Sequence, residues 1–159
     1  MICEKISGNI SEEKYHGCHV DYVDIEWHEA FKKLHKKITS CGVEIGIRLG
    51  NDILKRGLRQ GDVLWCEGDE VIAVNIPEAE MIVIEVAPDH PHMIPKVCYE
   101  IGNRHAALLY GETPYQFITP YNEPAFEMLG KLHGVQVSRK MQKMDFNKRI
   151  SASVNAHIH

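Results

Sequence analysis

The pattern of this chain changes near Pro77, and that change constrains the fold more than any other feature. Before it, short apolar runs alternate with turn signals, as in small antiparallel sheets. Ile2–Ser7 and Val20–Trp27 read as strands, with Gly8-Asn9 as a turn. Lys36–Thr39 and Val43–Leu49 flank Ser40-Cys41-Gly42, and Asp62–Glu67 and Val71–Asn75 flank Gly68-Asp69, so each pair reads as a hairpin. Gly50–Gly61 reads as a polar loop. Ala30, Phe31, Leu34 and Ile38 suggest a turn of helix running into a strand.

After Pro77 the period lengthens. Met81–Val86 is a strand with Ile82, Ile84 and Val86 on one face. His92–Ile101 follows as a helix, because Met93, Val97 and Ile101 recur four residues apart. Pro95 fits only the first turn of that helix, and Gly102-Asn103, the residue types that best accept a left-handed backbone, stop it. Ala106–Tyr110 and Tyr115–Thr119 are strands across a turn at 111–114. Asn122 caps a second helix with Pro124 in its first turn and Gly134 at its end. Val135–Met141 is the last strand. The order β-α-β-β-α-β is the ferredoxin-like one. The expected fold class is therefore α+β: an all-β N-terminal domain over 1–76, a ferredoxin-like domain over 77–145, and a flexible, aperiodic tail over 146–159.

Composition narrows the function. Of 159 residues, 44% are hydrophobic and 25% charged, which excludes a disordered chain. Lys plus Arg is 18 against 22 for Asp plus Glu, a formal charge of −4, which argues against a dedicated nucleic-acid binder. The lysines at 32, 33, 36 and 37 and the basic stretch from Arg139 to Arg149 read as solvated faces. No apolar run approaches the ~20 residues that span a bilayer, and no signal-peptide core opens the chain. A cytoplasmic location away from membranes is expected. Cys3, Cys18, Cys41, Cys66 and Cys98 include no Cys-x-x-Cys and are expected as free thiols.

Histidine is the unusual residue, with ten in the chain. Imidazole suits late transition metals, so a metal site is the first functional question. His105 falls just past the first helix of the second half. By position alone it is either a surface histidine beside a helix stop or a ligand. His157-Ile158-His159 places two imidazoles close enough to share one ion. His16-Gly17-Cys18-His19 and His90-Pro91-His92 read first as solvated groups, though either could serve as an auxiliary site. His28, His35 and His133 have no partner nearby in sequence.

Gly102-Asn103-Arg104-His105, followed by Ala106-Ala107-Leu108, resembles the signature of the urease accessory protein UreE family of nickel metallochaperones. Tyr99-Glu100-Ile101 fits some members; others carry a histidine at Glu100, so a ligand suggested there is absent. Asp24-Ile25-Glu26-Trp27, Gly46-Ile47-Arg48-Leu49 and Leu58–Leu64 resemble runs of the family's N-terminal domain, so the resemblance covers nearly the whole chain. It implies an N-terminal domain related to the peptide-binding domains of Hsp40-type chaperones, and a ferredoxin-like domain that dimerises. It implies that His105 faces its mate across a homodimer interface, with His157 and His159 completing a Ni(II) site. Zn(II) or Cu(II) would suit the same nitrogen ligands. Two dimers could share one ion. The implied partners are apo-urease, a urease accessory GTPase and other urease accessory proteins, with no catalysis by the chain itself.

Two other classes fit less well. A metal-dependent hydrolase needs an open metal and a base, as in His-Glu-x-x-His, but His28-Glu29 is followed by no histidine at 32. A ferredoxin-like RNA-binding module needs an aromatic-rich RNP1 strand, which Tyr110, Tyr115 and Phe117 do not form.

Overall fold

The computed structural model describes residues 1–151, which form two compact units dividing after Pro77. Its content is mixed α+β. His157 and His159 lie outside the described residues.

The first unit holds β1 (Ile2–Cys3), β2 (Gly8–Asn9), β3 (His19–Asp24), β4 (Leu34–Ile38), β5 (Glu44–Arg48), a short helix α1 (Ile53–Arg56), β6 (Asp62–Glu67) and β7 (Glu70–Asn75). They make two sheets, β1-β5-β4 and β2-β6-β7-β3. Both expected hairpins are present: β4 with β5, and β6 with β7. Their alternating side chains put Ile45, Ile47, Val63, Val71 and Ala73 inside. Asp62 is fully buried and fully engaged. Arg56 donates to its two oxygens at 2.7 and 2.9 Å, and the Arg59 amide donates at 2.8 Å. A buried carboxylate without such donors would cost several kcal/mol.

Five expectations fail in this unit. The strand at 2–7 shrinks to β1, and Gly8-Asn9 is not a turn but a second short strand beside β6. The strand expected to reach Trp27 ends at Asp24, and Trp27–Glu29 is a 3-10 turn. The four apolar residues from Ala30 to Ile38 share no helical face. Ala30 and Phe31 are buried, whereas Leu34 and Ile38, four residues apart on β4 and so on one face of the strand, point outward at 67% and 64% exposure. The loop 50–61 contains α1, because Ile53 and Leu58 turn into the core. Gly57, at φ 72°, lets the chain pass Phe31, whose ring atoms would lie 2.8 Å from a Cβ there.

The second unit runs β8 (Ala79–Val86), α2 (Met93–Asn103), β9 (Leu109–Tyr110), β10 (Gln116–Pro120), α3 (Glu123–Gly130) and β11 (Val135–Gln142). Its sheet order is β11-β8-β10-β9, with every neighbour antiparallel. Each helix leaves one strand and returns past a neighbour, so β8 lies inside. Ile82, Ile84 and Val86 meet Val97 and Ile101 of α2 and Ala125 and Leu129 of α3 in one core. Asn122 caps α3 by accepting the Ala125 amide at 3.1 Å, as its sequence promised. α3 ends at Gly130 rather than at Gly134.

The expected strand at 106–110 is only two residues long. The carbonyls before it are used elsewhere: Thr119 Oγ1 donates to Ala107 at 2.7 Å, and the Ile150 amide donates to Leu108 at 2.9 Å. That second bond corrects the expectation of a flexible tail for residues 146–150. Met144 and Phe146 are buried at 6% and 4% exposure, Phe146–Lys148 form a 3-10 turn capped by Asp145, and Arg149 bridges to Leu109. Two aromatic or thioether side chains give this segment the apolar anchor that its basic composition hid.

Candidate metal centre

Chain direction places His105. α2 is amphipathic, with Val97 and Ile101 buried and Tyr99 70% exposed. The helix does not stop at Gly102-Asn103, as their residue types suggested; it continues through Asn103, with Arg104 as its C-terminal cap. The left-handed residue is His105 itself, at φ 57°, among the described residues the one non-glycine with positive φ. The Ala106 amide donates to the Ile101 carbonyl at 3.3 Å and the His105 amide to that of Gly102 at 3.0 Å. These two bonds are those of a Schellman motif, with His105 at the position normally given to glycine. Half-buried Ala106 packs against the core that holds Ile101 behind it.

A side chain at that backbone conformation costs about 1–2 kcal/mol. Histidine tolerates it better than most residues, yet glycine would not incur it. The cost secures position: two backbone hydrogen bonds and a half-buried neighbour fix the Cα–Cβ direction of an exposed imidazole. The negative end of the α2 dipole also lies there and favours a cation. Beside it, Glu100 is engaged by Lys96 at 3.4 Å.

The other histidines separate into groups. His19 Nδ1 lies 3.0 Å from Glu70 Oε2, both side chains exposed, and His16 is exposed. His35 Nε2 donates to the Lys32 carbonyl at 3.0 Å, and burial pulls the pKa of this imidazole below its ordinary value. Sequence reasoning missed His133. Its ring lies edge-on to His90 with centres 4.7 Å apart, and His92 lies 5.8 Å from His90. No local spacing could show this, because the loops before α2 and β11 meet only when β8 and β11 pair. Among the described residues, no three His, Cys, Asp or Glu side chains stand already gathered as a metal site. The five cysteines are free thiols. No described helix is long and apolar enough to cross a membrane.

Fold and site together define a two-unit α+β protein that presents an exposed imidazole from a strained helix stop. Residues 3–77 match the family model described as UreE urease accessory protein, N-terminal domain. The chain is 44% identical to the urease accessory protein UreE of Helicobacter pylori strain P12 over 154 residues, covering 97% of this chain and 88% of that protein. It is 43% identical to the protein of that name from Helicobacter acinonychis, with the same coverage, and 42% identical to that of Acetivibrio thermocellus over 82% of this chain and 81% of the other. The chain belongs to the UreE family of urease accessory proteins.

Proposed function

We propose that this protein is a non-enzymatic nickel carrier for urease maturation, and that His105 is the centre of its Ni(II) site. The relatives are named urease accessory proteins. The observation that carries the reading is His105 at φ 57° in the glycine position of the Schellman turn. A strained residue held by its surroundings is a mark of function.

One imidazole binds nickel weakly. Two copies of His105 on a two-fold axis of a homodimer supply two nitrogens from one residue. His157 and His159 would add nitrogens from the same or the partner chain. The bond from Ile150 to the Leu108 carbonyl supports this, because it returns the chain to three residues from His105. Seven further residues reach His157, at most about 25 Å of extended chain. A site of few exposed nitrogen ligands can pass its ion on, as delivery to apo-urease requires. Zn(II) and Cu(II) suit the same donors, so selectivity would follow from geometry and supply.

In this reading the second unit is the ferredoxin-like, dimerising, metal-binding domain, and its β-α-β-β-α-β order supports the assignment. The first unit is the chaperone-like domain that meets protein partners, among them a urease accessory GTPase and other accessory proteins. The setting is the cytoplasm. Calorimetric nickel titration with mass measurement on the same sample tests the reading. A dimer with one tight site per His105 pair, lost in His105→Ala, is expected. Wild-type affinity in His105→Ala would overturn it.

A further inference from the structure

We propose that His90, His92 and His133 form a second binding site for a divalent late transition metal ion, at the opposite end of α2 from His105. It does not rest on the role given to His105.

His90 is the fixed member. Its amide donates to the Ala87 carbonyl at 2.8 Å, and its own carbonyl accepts the Met93 amide at 3.0 Å. Its ring lies on the bare backbone of Gly134, where a Cβ would come within 2.7 Å of Cγ. The Ala87 amide donates to the Gly134 carbonyl at 2.8 Å and ties the two loops together. His90 Nδ1 lies 2.9 Å from Asp89 Oδ1. With the proton on Nδ1 shared to that carboxylate, Nε2 keeps its lone pair. This is the carboxylate–histidine arrangement that orients metal-binding imidazoles.

Spacing supports the site. With metal–nitrogen bonds of about 2.0–2.1 Å, two imidazoles on one ion have ring centres about 5 Å apart. The observed separations, 4.7 Å for His90–His133 and 5.8 Å for His90–His92, lie on either side of that value. The donor atoms do not yet converge. His92 and His133 are exposed, and the terminal torsion of histidine is soft, so ring rotation alone can turn their nitrogens inward. The positive end of the α2 dipole opposes a dication here, and the Asp89 charge offsets it. Water would fill the remaining positions of a Zn(II)-, Ni(II)- or Cu(II)-type site.

The test uses the full chain and Zn(II) alone, followed by imidazole nitrogen NMR. The expected result is that the resonances of His90, His92 and His133 move together to one saturation point, in wild type and in His105→Ala alike. His133→Gln should weaken that response by more than tenfold, and His92→Gln should weaken it without touching the His90 contact with Gly134. Resonances of His90 and His133 that stay still while other histidines respond would overturn the proposal. So would separate saturation of the three, or an unchanged response in both variants.

Discussion

The two ends of α2 present histidine in opposite ways. At its C-terminal end a single imidazole is exposed, and its backbone is strained to hold it there. At its N-terminal end two imidazoles lie close to a third, which a carboxylate and a glycine hold in place in relaxed backbone. A lone ligand has no neighbours to define its direction, so the helix stop must do so. A group of ligands is positioned by packing and hydrogen bonding between side chains. The first arrangement invites completion by a second molecule or a tail, and the second draws its three side chains from one unit.

The largest effect expected from breaking this contrast is structural. Phe146→Ala should cost the second unit about 3 kcal/mol, as a buried phenylalanine usually does. It should also detach the segment that returns to Leu108, and urea unfolding of the second unit measures both. Next is His105→Ala. Nickel affinity should fall by more than about 100-fold, beyond the ~10–100-fold that losing an outer-shell partner costs. The fold should persist, because the alanine inherits the same two backbone bonds. Removing the chain after Ser151 should weaken nickel by about tenfold. Tethered ligands gain effective concentration, but each ordered residue costs about 1–2 kcal/mol. The apo melting temperature should not move, since Phe146 and Ile150 remain.

The smaller effects concern protons. His35 in the β unit is the control histidine, half-buried and bonded to Lys32 rather than offered to a ligand. Burial lowers its folded pKa, so below about pH 6.5 the unfolded chain takes up the proton first. Its contribution is full above that pH, is lost as pH falls toward the folded value, and then levels off. The slope of stability against pH should differ between wild type and His35→Gln only in that window, with the variant flatter.

Much of this was legible in the sequence, for reasons that also explain the rest. Local signals worked where local physics decides: the glycine turns of both hairpins, the Asn122 cap and the period of α2. They failed where the deciding contact is remote. Phe146 and Ile150 sit in a polar, basic stretch, and only the distant Leu108 carbonyl reveals that they dock. His133 meets His90 through strand pairing, not through spacing. Gly102 and Asn103 have the right residue types for a left-handed stop, and the helix passes them to put that conformation on His105. At that one position, the observed backbone and local propensity disagree.

That disagreement allows the most direct measurement. His105→Gly and His105→Ala should both lose the tight nickel site. Only the glycine relieves the left-handed strain, so its apo form should gain about 0.5–1 kcal/mol, net of the extra freedom glycine has when unfolded, and melt a few degrees higher. Nickel titration and apo melting of the two variants beside wild type make the comparison. Lost nickel affinity in both, with a stability gain confined to glycine, is the expected result. Nickel affinity kept in either variant, or a glycine variant that melts lower than wild type, would contradict a histidine held under strain for its metal.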